Sequence, residues 1–126
     1  MSTAQLLIAV VDDEDIIRKA LQRLLRSAGM AVIGFASAME FLVALPARRP
    51  DCVVLDLHMP LMTGFELMAR LADMDSNLPV VVITGQDTPD SYTRAIAAGA
   101  DAYLLKPVDD LVLMDAITRA VAVHQS

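Results

Sequence analysis

Cysteine is almost missing from this chain: Cys52 is the only one in 126 residues. A lone thiol excludes an internal disulfide and any thiolate-rich metal cage. Positive charge is also scarce, 10 basic residues against 16 acidic ones, for a net charge of −6. That balance argues against the chain gripping a phosphate backbone by itself, so no direct nucleic-acid contact is expected. No hydrophobic run is long. The longest unbroken apolar stretch is Leu6–Val11, far below the roughly 18–20 residues of a membrane span. The start, Met1-Ser2-Thr3-Ala4-Gln5, has neither a basic cluster nor an apolar core behind it, which argues against a signal peptide. Repeats, low-complexity tracts and internal linkers are absent too, so residues 1–126 are expected to form one domain. Hydrophobic residues at 56% and charged ones at 21% provide a genuine core and exclude a disordered tail. A compact cytoplasmic domain is expected, with no membrane partner.

Five apolar runs are present: Leu6–Val11, Ala31–Phe35, Cys52–Leu55, Val80–Ile83 and Ala102–Leu105. Four are rich in Val or Ile without polar alternation, which suits strands buried on both faces of a parallel sheet. Helix-period segments lie between them. Ile17, Ala20, Leu21, Leu24, Leu25 and Ala28 mark the first, which Gly29 ends. Ser37-Ala38-Met39-Glu40 predicts a capping box opening the second, with Phe41, Leu42 and Leu45 on its buried stripe. A third runs from about Gly64 to Met74, and a fourth has Pro89 in its first turn and Gly99 at its end. The fifth begins near Asp109 and carries Leu113, Ile117 and Val121. Strict alternation of strand and helix implies right-handed crossovers and a parallel α/β sheet. In such sheets the ligand site lies beyond the carboxyl ends of the strands.

Each of those ends is polar. After the first strand come four acids in a row, Asp12-Asp13-Glu14-Asp15. Capping of the next helix needs one or two of them. Like charges about 4 Å apart cost up to about 4 kcal/mol at an effective dielectric of 20, so a hard divalent cation is the natural counterweight. On this motif alone, capping and metal binding fit equally. Asp56 ends the third strand, where an ionised side chain is costly without a partner; alone it reads as a turn residue. Beside Asp12 and Asp13 it completes a three-carboxylate Mg²⁺ site, and a carboxylate there can attack phosphorus. Thr84 follows the fourth strand with Gly85 behind it, a hydroxyl that can donate to a phosphoryl oxygen. Lys106 ends the fifth strand as a counter-charge to the acids, and Pro107 allows a cis bond that aims it inward.

The segments VVDDE at Val10–Glu14, VLDLHMPLMTG at Val54–Gly64, PVVVITG at Pro79–Gly85 and AGADAYLLKP at Ala98–Pro107 closely resemble the receiver domain of two-component response regulators. The resemblance covers Ile8 to about Ala120, and ITGQ with KPVDDLVLMDAITRA looks most like the FixJ-type branch. It implies the doubly wound, flavodoxin-like receiver fold: a five-stranded parallel sheet in the order 2-1-3-4-5 flanked by five helices. It also implies a phosphorylation-controlled switch rather than an enzyme, with at most slow self-catalysed phosphorylation and dephosphorylation. Asp56 then accepts the phosphoryl group from a sensor histidine kinase or phosphotransfer protein. Asp12, Asp13, Asp56 and the backbone oxygen of His58 hold Mg²⁺, with Asp13 a direct ligand. Thr84 and Lys106 bind the phosphoryl oxygens, and Tyr103 is the aromatic switch residue. The switching surface is the fourth helix, fifth strand and fifth helix, which in this branch mediates a phosphorylation-dependent homodimer.

His58 and Gln86 occupy positions that vary in the family and are expected to tune the phosphoryl lifetime. The His58 ring is expected to face solvent and Cys52 to be a small core residue. Leu111 and Val112 are expected to be apolar and outward. No output domain follows within the sequence, so either a stand-alone receiver or a chain ending at the domain boundary is expected. Two enzymatic readings fit poorly. Aspartate-nucleophile phosphatases want a second acid where His58 stands, and a flavin phosphate would be repelled by the acidic first loop. A pseudo-receiver that only binds partners is expected to have lost some of these acids.

Overall fold

The computed structural model describes residues 5–74 and 77–125; Met1–Ala4, weighed above as a leader, and Ser126 lie outside them. Five strands alternate with five helices: β1 (Leu7–Val11), α1 (Asp15–Ser27), β2 (Ala31–Phe35), α2 (Ala38–Ala44), β3 (Cys52–Asp56), α3 (Gly64–Asp73), β4 (Val80–Thr84), α4 (Pro89–Ala97), β5 (Ala102–Leu105) and α5 (Asp110–His124). The strands form one parallel sheet in the order β2-β1-β3-β4-β5, as the resemblance implies.

Side chains along a strand alternate between faces, and the core divides accordingly. Ala9, Val11, Val53, Leu55, Val80 and Val82 pack with Phe41, Leu45, Leu67 and Leu71 of the α2–α3 layer. Ile8, Val10, Cys52, Val54, Val81 and Ile83 pack on the other face with Leu21 and Leu25 of α1 and Leu113 and Ile117 of α5. β3 and β4 are buried at every residue, which explains their lack of polar alternation. Cys52 is fully buried, and burial pushes its thiol up to about 12. Ala20 and Ala28, read with the leucines as marking the period of the first helix, are exposed, and Ala28 is its C-cap. Their small side chains leave the packing to Leu21 and Leu25.

The helix starts differ from expectation in one respect. Ser37 does accept a hydrogen bond from the Glu40 N–H at 3.1 Å, but the Glu40 carboxylate lies 3.4 Å from the Ser37 hydroxyl instead of returning to its backbone N–H. The reciprocal capping box opens α3: Thr63 Oγ1 accepts from Glu66 N–H at 3.2 Å, and Glu66 Oε1 accepts from Thr63 N–H at 2.9 Å. Thr63→Ala removes one acceptor and is expected to cost about 1 kcal/mol, read as a melting temperature lowered by a few degrees. An unchanged melting point would show that the box contributes nothing. The next residue, Gly64, sits where a Cβ would lie 2.6 Å from the Asp56 carbonyl oxygen. Only glycine lets α3 start this close to the end of β3.

Candidate functional site

The sheet register brings the polar residues level. Val11 pairs with Leu55, Asp56 with Ile83 and Thr84 with Leu105, so Asp12, Asp56, Thr84 and Lys106 all stand at one edge of the sheet. Asp12 and Thr84 are 0% exposed and Asp56 3%. The Lys106–Pro107 bond is cis. Lys106 Nζ lies 2.9 Å from Asp12 Oδ2, 3.1 Å from Glu14 Oε1 and 3.6 Å from Asp56 Oδ1. One ammonium thus faces three carboxylates.

The acids after β1 divide their work. Asp12 Oδ1 accepts the Glu14 N–H at 2.9 Å and turns the chain into α1. Glu14 stands at the N-cap, yet its side chain caps nothing and reaches Lys106 instead. Asp15 pairs with Arg18 one turn on, whose guanidinium lowers the Asp15 carboxyl below its usual range. Asp13 is exposed, and its carboxylate joins those of Asp12 and Asp56 with ligand atoms all within 4.8 Å of one another. In an octahedral Mg²⁺ site with bonds of about 2.1 Å, adjacent ligand oxygens stand about 3 Å apart and opposite ones about 4.2 Å, so the three carboxylates would draw together on an ion. Asp12 Oδ2 supports that fit. It is buried and receives no hydrogen bond of proper geometry among the described residues, although Lys106 is 2.9 Å away. The cluster could therefore hold a metal ion.

Charge density leaves its mark on Asp56. Burial first, then the neighbouring Asp12 charge, push its carboxyl up from 3.8 to about 6, against the opposing pull of Lys106 and the His58 N–H. Burial works against the Lys106 ammonium, but the facing Asp12 and Asp56 carboxylates outweigh this and hold it above its ordinary value.

His58 departs from expectation. It is half-buried between the buried Leu57 and Met59, and its Nε2 is shielded from solvent with no hydrogen-bond partner among the described residues. Its N–H approaches Asp56 Oδ1 at 3.4 Å. Thr84 Oγ1 is engaged within its own loop, accepting from Gln86 N–H at 3.0 Å and donating to Gln86 O at 3.2 Å. Tyr103 does not reach Thr84; its hydroxyl donates to Asp87 Oδ1 at 2.9 Å, and its ring meets Tyr92 edge to face at 5.4 Å. Leu111 and Val112 are exposed, as expected. Two members of this neighbourhood escaped the sequence reading: Glu14, taken only as part of an acidic run, and Asp87, which carries no motif signal.

A doubly wound α/β sheet with acids, a threonine and a lysine gathered at its carboxyl edge defines a receiver-type signalling domain. The response regulator receiver domain model matches residues 8–118, and the chain belongs to that family, a component of two-component systems. Among its relatives, transcriptional regulatory protein FixJ of Rhizobium meliloti is 41% identical over 113 residues, covering 90% of this chain and 55% of that protein. Nodulation protein W of Bradyrhizobium diazoefficiens is 33% identical over 119 residues, covering 94% and 52%. The crystal structure of FixJ-N superposes with a TM-score of 0.88 at 38% identity, covering 95% of this chain and 96% of that one. A response regulator receiver protein from Burkholderia phymatum does so at 0.84 and 40% identity, covering 94% and 96%. The chain spans about half the length of the curated relatives it matches. No helix among the described residues is long and apolar enough to cross a membrane.

Proposed function

We propose that this chain is a cytoplasmic, phosphorylation-controlled switch in which Asp56 takes a phosphoryl group from a sensor histidine kinase or phosphotransfer protein. The observation that carries the reading is the cluster itself: three carboxylates within 4.8 Å of one another, with the Lys106 ammonium 3.6 Å from Asp56. An Asp56 oxygen forms the new bond to phosphorus while the donor's P–N bond breaks and its electron pair returns to the imidazole. Asp12, Asp13, Asp56 and the His58 carbonyl would hold Mg²⁺, which supplies charge neutralisation on the transferring oxygens. Lys106 donates to one phosphoryl oxygen. Thr84 donates to another once its hydroxyl leaves Gln86.

Phosphorylation takes Asp56 from −1 to about −2 and adds acceptor oxygens. Drawing Thr84 inward vacates space for Tyr103 and repacks the surface of α4, β5 and α5, where Tyr92, Ile96, Leu105 and Leu111 are exposed. That surface is the natural contact for a second copy of the chain or an output partner. The test is intact mass after incubation with a small phosphodonor and Mg²⁺. The wild type is expected to gain one hydroxylamine-labile phosphoryl group and Asp56→Asn none. An undiminished adduct in the variant would remove Asp56 as acceptor.

A further inference from the structure

The loop between β4 and α4 closes on itself at one end and on β5 at the other. At its start the Thr84 hydroxyl bonds both the N–H and the carbonyl of Gln86, at 3.0 and 3.2 Å. One residue later, Asp87 Oδ1 accepts the Tyr103 hydroxyl at 2.9 Å across 16 residues of sequence. Tyr103 is held on a second side by Tyr92 of α4, with ring centroids 5.4 Å apart and planes at 86°. The loop carboxylate thus grips the aromatic residue of the neighbouring strand, while the loop hydroxyl that must turn toward Asp56 is occupied by the same loop.

We propose that Asp87 is a latch that holds Tyr103 in the unphosphorylated arrangement and releases it when Thr84 leaves Gln86. The proposal rests on the phosphoryl-switch reading above and extends it to a residue outside the phosphoryl site. Its logic is thermodynamic. A hydrogen bond made in only one of two arrangements disfavours the other by its net strength, and removing it favours whatever binds the other arrangement. An alanine at 87 leaves the acceptor, the acids, Thr84 and Lys106 in place, so phosphoryl chemistry stays available while the latch is gone.

The experiment uses the chain's own spectroscopy. Tryptophan is absent and Tyr92 and Tyr103 are the only tyrosines, so Tyr92→Phe leaves Tyr103 as the sole tyrosine emitter and keeps the ring against it. Beryllofluoride with Mg²⁺, a stable mimic of the phosphoryl group, is titrated into Tyr92→Phe and into the same chain carrying Asp87→Ala. The expected result is an emission change in both. The half-saturating beryllofluoride should fall roughly threefold to tenfold in the Asp87→Ala chain, the worth of one hydrogen bond to an exposed carboxylate. Asp87→Asn, which keeps an uncharged acceptor, is expected to fall between. Equal half-saturation in all three chains would overturn the latch. So would an emission that ignores beryllofluoride in a chain whose Asp56 still takes a phosphoryl group by intact mass. If no phosphoryl adduct forms at all, the switch reading fails and the latch falls with it.

Discussion

Asp56→Asn is expected to melt at a higher temperature than the wild type when divalent cations are removed and the pH is near 7.5. The Asp56 carboxyl ionises near 6 in the folded chain against 3.8 when free, chiefly because of burial and then the charge of Asp12. Between those values the folded chain retains a proton that the unfolded chain has released, so stability falls as pH rises through the window. Below about pH 4 both states are protonated and the penalty is gone. Above about pH 6 it is complete, up to about 3 kcal/mol. An asparagine fills nearly the same volume and carries no charge, so it escapes the penalty. The stabilisation should therefore shrink as the pH is lowered from 7 to 4. Thermal melts of both proteins at several pH values check this. A variant that is no more stable at neutral pH, or whose advantage is independent of pH, would show that Asp56 carries no such burden.

Magnesium should relieve the same burden in the wild type. At a concentration one hundred times its dissociation constant, an ion that binds only the folded chain contributes about 2.7 kcal/mol. The shift should be largest above pH 6, where Asp56 is ionised and its field favours the ion, and should fade toward pH 4. Asp13 is the exposed member of the cluster, so Asp13→Asn removes a ligand without opening a cavity. Most of the magnesium-induced rise in melting temperature is expected to vanish in that variant. If Asp13→Asn responds to magnesium as strongly as the wild type does, the ion binds elsewhere.

The fold was legible because each strand is an apolar run bounded by chemistry that cannot continue it. Val80–Thr84 is β-branched throughout and buried on both faces, which sequence periodicity reads directly. The site was legible for a related reason: carboxylates, a hydroxyl and an ammonium at the ends of apolar strands are conspicuous, and the parallel topology gathers such ends. Which individual side chain a distant partner would meet was less legible. Lys106 and Glu14 are 92 residues apart in sequence, and nothing local to Glu14 distinguishes a lysine partner from a capping role. The Asp87–Tyr103 bond depends on the path of a loop that has no periodic signal. At the far end of the sheet, His124 Nε2 meets Asp101 Oδ1 at 2.9 Å while its Nδ1 meets Asn77. A histidine near the terminus gave no hint of that clasp. Thr63-x-x-Glu66 has the same spacing as the half-formed box at Ser37, so spacing alone does not tell which of the two closes.

The position of Lys106 would make metal binding an exchange of counter-ions rather than the filling of a hole. Its ammonium touches the Asp12 oxygen that has no hydrogen-bond partner among the described residues, and a metal ion held by that oxygen would compete with it. An ion entering there would have to loosen a lysine that the acids hold charged, so its affinity would be the difference between two attachments. Lys106 is anchored at the end of β5, three residues beyond Tyr103. A cation on the acids would therefore act, through Lys106, on the end of the strand that carries the aromatic residue.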